Sequence, residues 1–308
     1  MKNNILYCVT GFLHLVLMAT VLPSCIKEGD SDCPVPVVSV IFTDLYYNEE
    51  TDQGLNTDEF SHVTLFLYDQ NKQRIATTVL YECHLDQEYK LGIELSPGSY
   101  ELVAWVGTET FFYNFQDTDN LEKATLSLYI PESHLVNFWI SHIYFGKSSF
   151  TVDTQDKTIQ IPVIQLTNDI NFTVEGLGEE DHYTFTIADN NGKYNFNGTY
   201  MPCERFGYQS DVLFFSGDPF NSHVTILRLT EGRTPMVFLT DDTKDELLFP
   251  SYEGQDFNLI SLIKKAYNTN SFDFDSRHIF NLSLVFDADM RATVYIDDWL
   301  VKDDNYEL

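Results

Sequence analysis

The residues with the most specific chemistry lie at positions 22–25, which read Leu-Pro-Ser-Cys and close the first apolar stretch of the 308-residue chain. They follow one basic residue, Lys2, and an apolar run over residues 5–22, which is the layout of a secretory signal peptide. A cysteine that follows small residues at this point is typical of a bacterial lipoprotein. We therefore predict removal of residues 1–24 and attachment of lipid to the sulfur and the new amino group of Cys25.

The lipid on Cys25 would hold the protein at a membrane face without spanning it. Each buried methylene stabilises membrane binding by about 0.8 kcal/mol. One acyl chain gives only marginal attachment, whereas several acyl chains attach the protein permanently. The alternative is an uncleaved transmembrane helix, because roughly 18 apolar residues are barely enough to span a bilayer. Pro23, Ser24 and the absence of a basic flank after Cys25 favour the lipoprotein interpretation.

The chain is strongly acidic, with 18 Lys and Arg against 47 Asp and Glu and a net charge of −29. Loss of residues 1–24 removes one lysine and no acid, so the mature charge is about −30. Such a chain, without a Lys/Arg cluster, is not built to neutralise phosphates. Its composition therefore argues against nucleic-acid partners and against electrostatic adsorption to anionic lipid.

Sequence motifs of catalysis are missing, since the chain has no GxSxG, HExxH or CxxC pattern. Four Ser-His dipeptides offer a nucleophile beside a base. Adjacent residues on a strand point to opposite faces, however, so such a pair cannot act on itself. We expect these histidines on the surface or in turns: His62, His134, His142 and His223.

Clustered acids are the other candidates for chemistry. Two carboxylates at the right separation can hydrolyse a glycosidic bond, and residues 117–120 and 273–275 offer oxygen ligands suited to calcium. With 47 acids in the chain, such clusters arise without any function. We therefore predict no catalytic residue, no metal ligand and no cofactor apart from the lipid on Cys25. Of the two alternatives, the acidic clusters favour calcium binding over glycoside hydrolysis.

Three tryptophans, Trp105, Trp139 and Trp299, could stack on sugar rings. All three lie within apolar, strand-like patterns, so we expect them to pack in the core. A row of exposed aromatic side chains on one face would instead indicate glycan binding.

The cysteines indicate an exported chain. Once Cys8 leaves with the signal peptide and Cys25 is lipidated, three remain, and an oxidising compartment permits one disulfide. We predict a bond between Cys33 and Cys83, which would tie the start of the fold to its body. The third thiol, Cys203, is then expected to be a small buried apolar group. Sequence alone does not give the connectivity.

Beyond residue 36 the dominant hydrophobic period is two, which predicts strands rich in β-branched and aromatic residues. One helix is expected over residues 257–267, with apolar residues at helical spacing and two lysines near its end. The strands are expected at residues 37–47, 63–68, 89–95, 100–106, 124–130, 139–145, 159–166, 170–177, 183–187, 194–196, 223–229, 236–239, 279–286 and 292–301.

Two batches of short strands predict an all-β fold of two tandem β-sandwiches. We place a lipidated tether at residues 25–36, an N-terminal sandwich at residues 37–167 and a C-terminal sandwich at residues 168–308.

Five stretches of the chain match a known family of proteins, and they lie at residues 25–34, 63–69, 143–146, 171–177 and 296–308. In these stretches the chain resembles the FimB-like fimbrial anchor lipoproteins of Bacteroidales-type (type V) fimbriae. The resemblance implies transthyretin-like β-sandwich domains, surface attachment to the outer membrane, and a role in fixing the base of a fimbrium and influencing its length. Its partners would be the fimbrial stalk subunits.

The same resemblance implies a strand-based mode of assembly. A sandwich that lacks a strand exposes unpaired backbone groups, which a strand of a neighbour can pair. Stalk subunits of such fimbriae resemble one another in losing a first strand to an arginine-directed protease. Here the first arginine is Arg74, well past the strand at residues 37–47, so we expect that strand to stay in place.

The C-terminal run at residues 291–301 alternates like an assembly strand, with Ala292, Val294 and Ile296 on one side and Trp299 beyond them. It could insert into the first stalk subunit, or it could simply be the last strand of the C-terminal sandwich. A rival function for the whole chain is that of a surface glycan-binding lipoprotein of a polysaccharide-uptake system, which would share the anchor, the acidity and the sandwiches.

Overall fold

The structure is a computed structural model that describes residues 35–44, 62–81, 91–178, 182–212, 219–250 and 257–303. Cys25, Cys33 and Cys83 lie outside these residues, so the lipid site and the disulfide stay predictions. From Pro36 onward the chain forms one compact unit. Among the described residues, no helix has the length and apolar character needed to cross a bilayer.

Strands make up almost all of the regular structure. The first ten are β1 Val37–Asp44, β2 His62–Asp69, β3 Arg74–Tyr81, β4 Leu91–Glu94, β5 Gly98–Val106, β6 Tyr113–Gln116, β7 Thr125–Leu128, β8 Leu135–Val136, β9 Tyr144–Val152 and β10 Lys157–Gln165. The others are β11 Thr167–Glu175, β12 Tyr183–Asp189, β13 Lys193–Asn195, β14 Tyr200–Met201, β15 Phe206–Val212, β16 Phe220–Leu227, β17 Met236–Asp241, β18 Glu246–Phe249, β19 Ile279–Phe286, β20 Ala292–Ile296 and β21 Trp299–Asp303.

The strands form four sheets that stack in a sandwich-like arrangement, which confirms the all-β prediction. The largest has the order β3-β2-β5-β9-β10-β1-β4. The others have the orders β16-β11-β19-β20-β21, β18-β17-β12-β15-β8 and β14-β13-β7-β6. One described helix, α1 Leu259–Ala266, confirms the predicted helix. Its first turn is capped by Asn258, whose side chain accepts a hydrogen bond from the backbone N–H of Ile260.

The seven-stranded sheet buries a different core on each face. On one face, side chains of β1, β2, β5, β9 and β10 pack against one another, including Val40, Leu65, Ala104 and Ile161. Because these strands belong to one sheet, the sheet must curl around its own core. The opposite face contributes to a second and larger core that continues through the remaining sheets and α1.

Trp105 lies at the centre of the larger core and is fully buried, as predicted. Its ring contacts Phe145 at 4.9 Å and Phe196 at 5.7 Å between ring centroids, and Phe115 and Tyr194 lie slightly further away. Aromatic pairs of this kind each contribute about 0.5–1.5 kcal/mol beyond the burial of their area. Phe145 precedes residue 167 in the chain and Phe196 follows it, so this cluster joins the two halves of the sequence.

The backbone joins the two halves as well. In the four-stranded sheet, β7 pairs with β13 through Leu126 and Tyr194. In one five-stranded sheet, the short β8 pairs in parallel with β15 through Val136 and Tyr208. The predicted domain boundary between residues 167 and 168 falls within β11, directly after its first residue Thr167, and stays a prediction.

Two predicted strands differ from the observed ones. The strand expected at residues 139–145 begins only at Tyr144 and runs to Val152. The strand expected at residues 292–301 is a hairpin of β20 and β21. Six of the described strands lie where no strand was expected: β3, β6, β8, β14, β15 and β18.

Candidate assembly surface

The first strand lies within its sheet, and its retention after export stays a prediction. It pairs in parallel with β10 over seven residue pairs and antiparallel with β4 over four. Val38, Val40 and Phe42 are buried in the core that the sheet encloses. Because both edges of β1 are paired, its place in the sheet is not open to a strand from another molecule.

The C-terminal hairpin divides the four candidate assembly residues between two environments. Ala292, Val294 and Ile296 are 0% exposed, and their strand β20 pairs with β19 on one side and β21 on the other. Trp299 begins β21, the edge strand of its sheet, and is 61% exposed. The structure therefore joins the first three residues in the core and separates Trp299 from them.

The turn of this hairpin is fixed by hydrogen bonds from neighbouring elements. Asp297 and Asp298 have positive φ angles of 47° and 68°, which aspartate tolerates better than most residues. The carboxylate of Asp297 accepts hydrogen bonds from the Asn281 N–H at 2.9 Å and the Tyr267 hydroxyl at 2.9 Å. Burial, together with the bond to Asp297, raises the pKa of Tyr267 to about 12, so this hydroxyl remains a donor. A hairpin held in this way is not a spare segment of chain.

Two tryptophan predictions are wrong. Trp139 is 62% exposed and Trp299 is 61% exposed, whereas both were expected in the core. Trp139 follows Phe138, which stacks on Phe112 at 5.3 Å and on Tyr129 at 6.4 Å between ring centroids. Each of these two tryptophans is therefore exposed although its neighbours in sequence are apolar. Sequence periodicity does not distinguish such a residue from one in a buried strand.

Two of the Ser-His dipeptides meet at one carboxylate. The carboxylate of Asp169, on β11, lies 2.9 Å from Nε2 of His142 and 3.3 Å from Nε2 of His223. The hydroxyl of Thr225 donates to the same carboxylate at 2.7 Å. Burial alone would raise the pKa of Asp169, but the hydrogen bonds from the two histidines outweigh it and place the pKa well below its usual range. The cluster ties the segment before β9 to the second half of the chain.

The family model for fimbrillin-A associated anchor proteins Mfa1 and Mfa2 matches residues 30–305 of the chain. The protein belongs to this anchor family. The resemblance to the fimbrial anchor family is thereby confirmed, and the family places the protein among fimbrial, cell-surface components.

Solved structures of low sequence identity share the fold of this family member. The fimbrial anchor protein Mfa2 of Porphyromonas gingivalis is 17% identical, with a TM-score of 0.70 over 87% of this chain and 99% of that chain. A Bacteroides thetaiotaomicron protein described as a polysaccharide-binding candidate is 19% identical, with a TM-score of 0.72 over 88% of this chain and 100% of that chain. No individually curated sequence matches the chain.

The acidic clusters proposed for calcium have other partners in this anchor-family chain. Asp119 pairs with Arg74, and Asp273 accepts a hydrogen bond from the N–H of Asp275. Among the described residues, no group of three or more His, Cys, Asp or Glu side chains has an arrangement that could hold a metal ion. Cys203 is free and half-buried, and it accepts a hydrogen bond from the Gly192 N–H.

The expectation that the Ser-His histidines lie on the surface is wrong for His62, which is only 8% exposed. Its ring lies within hydrogen-bond distance of Thr64 and packs edge-on against Tyr81 at 5.1 Å between centroids. A Ser-His dipeptide does not indicate whether its histidine is buried. The sequence therefore did not distinguish the buried His62 from the exposed His134.

The stability of the fold depends on pH through His278. Within the described chain, Nδ1 of this histidine is buried without a hydrogen-bond partner. Burial, reinforced by Arg228 and His142, lowers the pKa of His278 from 6.5 to about 4. Because the pKa is lower in the folded state, stability is complete above about pH 6.5 and is lost as the pH falls towards 4.

We expect the free energy of unfolding at pH 5 to be about 1–2 kcal/mol lower than at pH 7 through this group. Denaturant titrations of the wild type and of His278→Phe at both pH values measure the difference, which the substitution should reduce. His182→Gln is a control at an exposed histidine and should retain the wild-type difference. An unchanged pH dependence in His278→Phe would contradict the assignment.

Proposed function

We propose that the protein is a lipid-anchored outer-membrane component that fixes the base of a fimbrium and influences its assembly and length. Membership of the anchor family supports a fimbrial role, and the Cys25 motif supports lipid attachment. The observation that carries the proposal is the position of β1, paired on both edges within its own sheet. A subunit whose first strand stays in place does not accept a donor strand there, which suits the terminal piece of a polymer.

The C-terminal hairpin is the proposed contact with the first stalk subunit. Its edge strand β21 begins with two exposed apolar residues, Trp299 and Leu300, which are 61% and 57% exposed. An edge strand has unpaired backbone groups that a strand of a partner can pair, and its side chains add specificity. The buried β20 then supports the contact surface, and binding requires no unfolding of the sheet.

The test is recovery of partners with the full-length, lipidated protein from native outer membranes. We expect pilin-like stalk subunits with the wild type, and about tenfold less of them with Trp299→Lys, because exposed aromatic anchors dominate such contacts. Trp139→Lys is the matched control, since Trp139 has almost the same exposure. Equal recovery with both variants would contradict the role of the hairpin, and absence of stalk subunits from the wild type would contradict fimbrial anchoring.

Glycan binding is the second candidate, and the aromatic row formed by Phe112, Phe138 and Tyr129 favours it, together with the exposed Trp139. Aromatic faces stack on sugars, and one protein of similar fold is described as a polysaccharide-binding candidate. The same purification distinguishes the two functions. Recovery of oligosaccharide and of a sugar importer, both reduced by Trp139→Lys and unaffected by Trp299→Lys, would replace the fimbrial proposal.

A further inference from the structure

Strand β3 is an edge strand with little to protect it. Among the described strands it pairs only with β2, through seven residue pairs. It is eight residues long, whereas β4, β6, β18 and β21 at other sheet edges have four or five. The edge strand β16 has the same length as β3, but six of its eight residues are buried, so it is not accessible from both faces.

The composition of β3 lacks the devices that usually block an open edge. Natural edge strands carry charges, prolines or strong bulges, or they are short. After Arg74 the strand reads Ile-Ala-Thr-Thr-Val-Leu-Tyr, without a charge, a proline or a glycine, and four of these seven residues are β-branched. Its one register irregularity lies at its start, opposite Leu67 and Tyr68.

The first residue of β3 is already covered, and the open edge begins after it. The backbone N–H of Arg74 donates to the carbonyl of Asp119 at 2.9 Å, and the Arg74 guanidinium pairs with the Asp119 carboxylate. Among the described residues, this neighbouring segment makes no further backbone contact along β3, and its isolated bridge joins Gln73 to Asn120. Within the described part of the chain, residues 75–81 thus form the accessible length.

Side chains along this length are exposed on both faces of the sheet. Ile75, Val79 and Tyr81 are 49%, 38% and 69% exposed, and Ala76, Thr77 and Thr78 are also exposed. Leu80 alone is partly buried, against the core that the sheet encloses. The ladder with β2 nevertheless fixes the backbone of β3, so a partner strand would meet a preformed template.

We propose that the open edge of β3 accepts an extended, non-acidic strand of a stalk subunit, as a second contact that deepens and rests on the proposed anchoring function. The unpaired N–H and C=O groups of an edge match an extended strand and no other ligand class. The place of β1 is filled, so an edge is the remaining position for strand addition without unfolding. A second copy is disfavoured as the occupant, because two mature bodies that each carry a charge of about −30 repel each other.

The test uses the full-length, lipidated protein in detergent micelles and fimbriae sheared from the same bacterium. Amide hydrogen exchange followed by mass spectrometry should show new protection over residues 75–81 when fimbriae bind, because the added strand accepts hydrogen bonds from β3. Thr78→Lys should weaken binding by about tenfold, since a lysine on an edge opposes strand pairing. Gln160→Lys is the control: it changes an exposed residue of β10, whose two edges are both paired in the same sheet.

Each outcome supports or overturns the proposal. Protection of residues 75–81 together with selective loss in Thr78→Lys supports it. Fimbriae that bind without protecting these residues, or that bind both variants equally, overturn the β3 contact and leave the anchoring function intact. Failure of fimbriae to bind the wild type overturns both. Protection that appears without fimbriae and rises with protein concentration shows a second copy at this edge and overturns the stalk assignment.

Discussion

Cys25→Ser releases the protein from the membrane fraction, and this is the largest effect that we expect from a single substitution. Serine has no thiol to accept diacylglycerol, and the leader then remains uncut or is cut elsewhere. Without the acyl chains, the hydrophobic attachment of about 0.8 kcal/mol per methylene is lost. The strongly acidic body offers no electrostatic replacement at an anionic surface.

Fractionation of cells followed by mass spectrometry of the mature N-terminus measures this effect. The wild type should be recovered with membranes and carry lipid on Cys25, while the variant carries none. Cys203→Ser is the matched control, because Cys203 is a free thiol in the folded body and its replacement should leave the membrane fraction unchanged. A wild-type protein recovered free of lipid, with its leader removed at another bond, would refute the lipoprotein assignment.

The second large effect concerns the buried ion pair between Asp189 and Arg233. Both side chains are only 2% exposed, and a guanidinium Nη of Arg233 also donates to the carbonyl of Arg228 at 2.9 Å. Burial lowers the pKa of Arg233 to about 9, which leaves it charged at neutral pH. Asp189→Ala removes the compensating charge, so we expect the free energy of unfolding to fall by about 3–5 kcal/mol.

Denaturant titration at neutral pH measures this loss. Asp119→Ala is the matched control, because it removes the carboxylate of the exposed pair with Arg74 and should cost no more than about 1 kcal/mol. The combination of Asp189→Leu with Arg233→Met removes both charges and should recover most of the stability. Equal losses in the free energy of unfolding for Asp189→Ala and Asp119→Ala would contradict a buried ion pair between Asp189 and Arg233.

The sequence predicted those elements in which one face is buried. Strand β11 alternates buried and partly exposed residues along nearly all of its length, and α1 places Leu259, Ile260, Leu262 and Ile263 in the core. Period-two and helical patterns arise because a single face must be apolar. The all-β class and the helix α1 could therefore be predicted without a structure.

The same reasoning explains why β3 was missed. Almost all of its side chains are exposed, so no selection for an apolar face imposes alternation on them. Its β-branched composition was the available signal. The hairpin at the C-terminus was missed for a different reason. Apolar residues on both sides of Asp297 and Asp298 made residues 292–301 resemble one continuous strand. Two consecutive aspartates tolerate the left-handed conformation and could have indicated a turn.

Contacts between distant segments were not predictable from local pattern. Strand β8 has two residues, too few for any periodicity, and its pairing with β15 depends on packing far along the chain. Likewise, His142 and His223 were recognised as residues, but their meeting at Asp169 follows from the sheet arrangement. The exposure of Trp139 and Trp299 is a tertiary property of the same kind.

The sharing of sheets between the two halves of the sequence has a mechanical consequence. If tension were applied between the lipid end and a bound fimbrium, the two halves could not separate freely. The β7–β13 and β8–β15 strand pairs would have to rupture first. The Trp105 cluster opposes the same separation. We therefore expect the two halves to unfold together under load rather than one after the other.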